Sequence, residues 1–238
     1  LSNGRQMEIR GRIDRVDQAK NEKGVYLRII DYKSSETSLQ LAEVFYGLSL
    51  QMLTYLDVVI THSKKWIGEE ALPAGVLYFH VHNPMLNTKT RISQEQAEKE
   101  LFKKFKMKGW VLADPDAVRM MDRTLDKGHS DIVPVGIKAD GGFYKHSSVV
   151  SESKWDEVRT FTRRKIRQIG MEMTSGKVEV SPYRLGKKTP CQFCSYRPVC
   201  QFDPSFDGND YRVFDAKAKD ELWQQIDSLN NVEGEEAE

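Results

Sequence analysis

Two short stretches that alternate apolar with polar residues constrain this chain more than any other feature. Glu8-Ile-Arg-Gly-Arg-Ile-Asp-Arg-Val-Asp17 and Tyr26 to Lys33 carry the two-residue period of half-buried strands, joined by the polar run Gln18 to Gly24. They predict a β-hairpin over 8–17 and 25–33. From Ser38 to about His62 the period lengthens to three and four, with Leu41, Val44, Phe45, Leu48, Met52, Tyr55, Leu56 and Val59 on one face, which predicts a single long helix. Ala74 to His82 is β-branched and aromatic, follows Pro73 and stops at Asn83-Pro84, so a buried third strand is expected there. This order of elements predicts an α/β fold built on a central mixed sheet flanked by helices.

Further along, Ser93-Gln-Glu-Gln96 is a capping box opening a charged helix to about Met107, and Asp114-Pro115 starts a short one. Asp140-Gly141, between Val135/Ile137 and Phe143/Val149, signals a second hairpin. A helix from about Lys154 to Met173 carries Trp155, Val158, Phe161, Ile166 and Ile169. The expected organisation is a core at 1–90, a helical and hairpin insertion at 91–180, a cysteine segment at 181–204, and an extension at 205–238 with a disordered acidic tail from Glu233 to Glu238. The chain opens at Leu1 without an initiator Met or a signal pattern, which reads as the end of a longer protein. No apolar run approaches the length of a membrane span. Lys and Arg number 36 against 35 Asp and Glu, a net +1, so any attraction for a polyanion has to come from a local patch. There is no G-x-x-x-x-G-K-[ST], which excludes ATP hydrolysis through a P-loop in this segment.

The two predicted strands end in charge. In a strand, residues two apart share a face, so Asp31 and Lys33 continue the face of Leu27 and Ile29 while Tyr32 points the other way. A turn centred between Glu22 and Lys23 pairs Val16 with Ile29 and brings Asp14 opposite Asp31, about 4.5 to 5.5 Å apart at Cβ. Two carboxylates so placed repel each other, and one shared Mg2+ or Mn2+ neutralises both while leaving positions for water and a phosphate. Lys33 beside them is suited to orienting or deprotonating the attacking water.

Gly11-Arg-Ile-Asp14, then Asp31-Tyr-Lys-Ser-Ser35, then Gln51-Met-Leu-Thr-Tyr55 resembles the RecB-type branch of the PD-(D/E)XK nucleases, with its G-x-x-D, D-Y-K-[ST] and Q-x-x-x-Y motifs in order. The resemblance implies that Asp14, Asp31 and the backbone carbonyl of Tyr32 ligate the metal. It also implies that Lys33 serves the water, and that Gln51 and Tyr55 position Lys33 or the DNA. That family usually carries a His ligand on a helix ahead of the first strand, and this chain begins too late to display one. His80 and His82 share a strand face without acidic neighbours, so they read as exposed or hydrogen-bonded residues and not as ligands.

Cys191-Gln-Phe-Cys194-Ser-Tyr-Arg-Pro-Val-Cys200 holds every cysteine of the chain. With Pro190 and Pro198 restricting the loop, three thiolates suit zinc or an iron-sulfur cluster, one ligand short of a closed site. C-x2-C-x5-C after such a nuclease core is similar to the iron-sulfur staple of the AddB-type family of bacterial helicase-nuclease subunits, and Pro182-Tyr-Arg184-Leu-Gly186-Lys-Lys-Thr-Pro190 adds to the likeness. It implies a [4Fe-4S] cluster whose fourth Cys lies outside this sequence. It also implies a heterodimer with an AddA-type helicase-nuclease partner subunit and a cytoplasmic, nucleoid-associated setting. Arg163 and Arg164, and Lys187 and Lys188, are candidates for tracking a DNA backbone. The expected function is a metal-dependent DNA exonuclease acting on a single strand at a duplex end during double-strand-break repair by homologous recombination. The alternative is a catalytically silent DNA-binding and assembly module.

Overall fold

The computed structural model describes residues 1–88 and 90–232; the acidic stretch Glu233 to Glu238 lies outside them. In order, the chain forms β1 (Arg15–Asn21), β2 (Gly24–Lys33), α1 (Leu41–Phe45), α2 (Gln51–Thr61), α3 (Ser63–Ile67), β3 (Ala71–His80), α4 (Gln94–Lys104), β4 (Lys108–Leu112) and α5 (Pro115–Met121). Then come β5 (Gly128–His129), β6 (Gly136–Ile137), β7 (Val149–Val150), α6 (Glu152–Thr174), β8 (Tyr183–Leu185), α7 (Arg197–Cys200), β9 (Arg212–Phe214) and α8 (Lys219–Val232), with a 3-10 turn at Pro190–Phe193 before α7. The contacts divide the chain into two units, one of Ile9–Gln40 with Ser49–Arg163, the other of Leu1–Glu8, Leu41–Leu48 and everything from Arg164 onward.

The first unit is built on a mixed five-stranded sheet in the order β1-β2-β3-β4-β7. β1 runs antiparallel to β2, β2 parallel to β3, β3 antiparallel to β4, and β4 parallel to β7. The hairpin has the expected register, Val16 opposite Ile29, with its turn at Glu22 and Lys23. Its first strand, however, begins at Arg15 and not at Glu8. The Asp14 side chain takes the Tyr32 N–H (3.1 Å) that a continuing strand would have used, and Glu8 to Arg12 are exposed. Ile29, Leu53, Leu56 and Leu77 are fully buried, as are Trp155, Val158 and Phe161 from the first half of α6, and α2 packs on β2 and β3. A second cluster, with Ile30, Leu77, Val111, Val118, Val133 and Ile137, fills out this core.

The expected helix over 38–62 is broken. Leu48 N–H bonds Glu43 C=O (2.7 Å) and Gly47 N–H bonds Val44 C=O (2.9 Å), a Schellman termination with Gly47 at φ +79°, where glycine alone is unstrained. The third strand is buried as expected but spans 71–80. Ala74 bulges out of its ladder after Pro73, which has no N–H to donate: Leu27 pairs with Pro73 and Arg28 with Gly75. Ser93 makes both bonds of its capping box with Gln96, yet α4 stops at Lys104 because 108–112 becomes a strand that periodicity did not predict. At Asp140-Gly141 the chain does turn, with Gly141 at φ +83° and Ile137 bridging Phe143. Val149 and Val150 leave that hairpin to pair with β4, while β6 pairs with β5.

In the second unit β8 and β9 form a parallel pair, and α1 packs on α8. The Tyr46 ring stacks on Phe214 (4.2 Å), and its hydroxyl donates to the Asp215 carbonyl (3.0 Å). The extension after 204 contains α8, which buries Leu222, Trp223 and Ile226.

Candidate active site

The face of β2 that buries Leu27 and Ile29 ends in two charges. Asp31 is 5% exposed, and its Oδ2 lies 2.7 Å from Lys33 Nζ. Apart from that ion pair, Asp31 Oδ2 has no hydrogen-bond partner among the described residues. The Asp31 carboxylate holds the Lys33 ammonium above its ordinary pKa, and the charge of Asp14 adds to the effect. Asp14 sits one residue before β1, next in the register that pairs Arg15 with Ile30. Its carboxylate is anchored by the Tyr32 N–H, which leaves the side chain of Tyr32, on the opposite face, edge-on to Phe79 at 5.8 Å.

The helical motif joins this site through a glycine. Gln51 Nε2 donates to Tyr55 Oη (3.1 Å), so its bond goes to Tyr55 and not to Lys33. The Tyr55 ring in turn lies against Gly11: a Cβ built there would sit 2.7 Å from Cε1 and 2.8 Å from Oη. In the sequence pattern Gly11 is only a motif letter. The close approach explains why a glycine precedes Asp14 by three residues, since any side chain would displace the ring.

Asp14, Asp31 and the Tyr32 carbonyl are the oxygens here that could hold a cation, hard donors of the kind that suits Mg2+ or Mn2+. Among the described residues no group of three or more His, Cys, Asp and Glu side chains gathers, so a cation here would rest on two carboxylates, with water and a substrate phosphate completing its shell. Mg2+ is commonly held in that way. The buried Asp31 Oδ2, satisfied only by an ammonium, fits a second cationic partner.

His80 is buried, and its Nε2 accepts the Thr37 N–H (2.8 Å); burial, then the charge of Lys108, lowers its pKa. His82 Nδ1 lies 3.2 Å from the His80 carbonyl, which can only accept, so that nitrogen donates. Both histidines therefore have hydrogen-bonded roles. Cys191 is partly exposed, Cys194 and Cys200 are exposed, and all three are free thiols. As soft donors they fit zinc or iron-sulfur ligation, but they are three and do not converge as a preformed cluster among the described residues.

The basic candidates are placed differently from one another. Arg163 forms a bidentate pair with Asp57, Nε and an Nη each 2.6 Å from a carboxylate oxygen, and Arg159 Nε joins the same carboxylate at 3.0 Å. Arg164 is half-buried. Lys187 is exposed, and Lys188 Nζ lies 2.7 Å from Glu43. Asp57, an acidic residue on the buried side of α2, was the sequence signal that Arg163 had a partner within the fold.

Comparison with known proteins matches residues 2–201 to the model of the PD-(D/E)XK nuclease superfamily. The chain is 50% identical over 235 residues to an ATP-dependent helicase/deoxyribonuclease subunit of Bacillus licheniformis, covering 99% of this chain and 20% of that protein. It is likewise 50% identical over 217 residues to the same subunit of Bacillus subtilis (91% and 19%) and 48% identical over 223 residues to that of Oceanobacillus iheyensis (93% and 19%). The chain thus spans about a fifth of the length of the curated relatives it matches.

Proposed function

The chain belongs to the PD-(D/E)XK nuclease superfamily, and from that premise we propose that it is a metal-dependent DNA exonuclease domain, trimming one strand at a duplex end during double-strand-break repair by homologous recombination. One observation carries the reading: a buried carboxylate paired with an ammonium at the end of β2, with a second carboxylate fixed beside it by a backbone amide. A bound divalent cation would supply Lewis-acid polarisation of the phosphate and a more acidic water. Asp14, Asp31 and the Tyr32 carbonyl would hold it. Lys33, kept protonated by Asp31, orients the attacking water and offsets negative charge developing on the phosphate oxygens. Gln51 fixes the Tyr55 hydroxyl, and the Tyr55 ring, lying on Gly11, sets the path of the 11–14 segment and so the place of Asp14.

The relatives' names, subunits of an ATP-dependent helicase/deoxyribonuclease, support a setting in which this domain works within a helicase-nuclease; the AddA-type partner subunit and the place in the cytoplasm at the nucleoid are proposed on the motif resemblance alone. Cys191, Cys194 and Cys200 would supply three of the four thiolates of a [4Fe-4S] cluster, the fourth lying outside these 238 residues. The test is Asp31→Asn in the full subunit with its partner, followed by Mg2+-dependent digestion of end-labelled DNA. Loss of at least about 100-fold in turnover is expected, from the removal of a metal ligand; digestion at the wild-type rate would sink the nuclease reading.

A further inference from the structure

Past the carboxyl ends of β2 and β3 the first unit has a cleft of about 650 Å3. Lys103, Lys104, Lys106 and Lys108 line it, and Glu36 is the one acidic side chain among its described lining residues. Four lysines less one carboxylate give the cleft a formal +3, in a chain whose net charge is +1. The rest of the chain therefore sums to a formal −2. Lys103 is paired with Glu100 (2.7 Å) and Lys108 with Glu36, whereas Lys104 and Lys106 make no ion pair with any described residue.

The cleft adjoins the candidate catalytic lysine. Ser34 and Ser35, which line it, directly follow Lys33, and His80, also in its wall, is the register partner of Lys33 across β2 and β3. The Val81 N–H donates to the Lys33 carbonyl (2.8 Å), closing the strand ends together. On the face of β2 opposite Lys33, a series of rings ties the strand ends to the lysine segment. Tyr32 meets Phe79 edge-on, Phe79 stacks on Phe105 (6.2 Å, 13° between planes), and Phe105 meets the His82 ring at 5.7 Å. Phe105 stands between Lys104 and Lys106 in sequence, so this packing fixes the segment carrying the two unpaired lysines to the end of β3. His82 uses Nδ1 on the His80 carbonyl, which leaves Nε2 as its available ring nitrogen.

We infer that this cleft holds the sugar-phosphate backbone of a single DNA strand on its way to the Asp31–Lys33 site, with Lys104 and Lys106 as the phosphate contacts. The inference rests on the nuclease reading and names where that site takes its substrate. A cleft of this volume has the room of a drug-sized ligand, about one or two nucleotides and far less than a duplex. Lysines on flexible stems, without the planar fork of arginine, suit contacts to phosphate and not to base edges. A positively charged groove that tracks the backbone is the usual equipment for sequence-independent binding of single strands.

The experiment measures binding of a fluorescent single-stranded oligonucleotide to the full subunit with its partner, in EDTA and across a salt series, for wild type and for Lys104→Gln combined with Lys106→Gln. Affinity should fall about 10-fold, and the slope of log K against log salt should flatten by about 1.4, two phosphate contacts at about 0.7 each. The DNA concentration that gives half-maximal cleavage in Mg2+ should rise by the same factor as the affinity falls, and Lys104→Arg with Lys106→Arg should bind as wild type. Unchanged affinity and slope in the Gln variant, with cleavage intact, would overturn the cleft assignment alone. An equal loss of affinity for blunt duplex would overturn its restriction to single strands. A wild-type protein that binds with the expected slope and never cleaves would sink the nuclease reading while supporting the cleft.

Discussion

Gly11 allows Tyr55 an approach that no other residue permits, because the ring occupies the space a Cβ would need. Gly11→Ala is expected to cost about 1 to 3 kcal/mol, the usual range for overpacking, and to lower cleavage by displacing the 11–14 segment that carries Asp14. Tyr55→Phe keeps the ring and loses only the bond from Gln51, about 1 kcal/mol or less. Urea titrations of the two variants, run beside nuclease assays, test this; equal destabilisation by both would mean that the contact with Gly11 is slack. At Lys33 the expectation concerns rate. Lys33→Ala should lower turnover far more than it weakens the dependence on Mg2+ concentration, since the ammonium acts on water and developing charge. A parallel loss of metal affinity would make Lys33 a support for Asp31 and nothing more.

At the level of elements, Asp57 ties α2 to the first half of α6 through Arg159 and Arg163. Its side chain is 12% exposed and that of Arg159 13%, so Asp57→Ala takes from a largely buried guanidinium its closest carboxylate, leaving it Asp156 at 3.3 Å, and should cost about 1 to 3 kcal/mol. Arg163 is 45% exposed, and Arg163→Gln should cost only about 1 kcal/mol, with DNA affinity unchanged. A fall in DNA affinity at constant stability would return Arg163 to the backbone-tracking role its sequence neighbourhood implied. The same helix illustrates what sequence could and could not convey. The hairpin register was legible because alternation and turn length both pointed to Val16 opposite Ile29, though Asp14 falls just outside the ladder and is held by the Tyr32 N–H. The break at Gly47 was not, because Leu41 to Val59 keep helical spacing through it, and only the left-handed glycine and its two capping bonds interrupt the run. β4 was hidden for a different reason. Lys108-Gly-Trp-Val-Leu is too short for a period, and its strand character rests on Gly109, where a Cβ would lie 2.1 Å from the Val76 carbonyl oxygen. The cleft lysines read only as a charge run, since nothing local shows that the strand ends of β2 and β3 meet them.

For the molecule as a whole, the response to acid follows from its anchored carboxylates. Burial alone would raise Asp122, but hydrogen bonds from Ser130 and Thr124 outweigh it and hold the carboxyl below its ordinary value; in Asp17 the bonds from Arg15 and Arg28 outweigh burial in the same way. A carboxyl whose folded pKa is depressed stabilises the fold fully above the unfolded value, about 4, and loses that contribution as pH falls through the folded one. The melting temperature should therefore be flat from neutral to about pH 5 and drop below about pH 4, less steeply in Asp122→Asn. A midpoint that rises on acidification would contradict this. The thiols give a second measurement: the cluster-free protein should react at Cys194 and Cys200, which are exposed, and anaerobic loading of the full subunit with iron and sulfide should protect them. Stoichiometric zinc in place of iron under those conditions would refute the cluster.

The strand order also settles how this protein meets copies of itself in a crowded cell. A sheet has two open rims, and each is a template on which a foreign strand can grow into an aggregate. On one rim stands β7, two residues long, too short to seed a ladder. On the other stands β1, whose Arg15 and Asp17 pair along the strand while Lys20 reaches Glu69, so an incoming strand would have to strip charges of both signs before its first hydrogen bond formed. One rim is blunt and the other is guarded, which protects the sheet from edge-to-edge polymerisation.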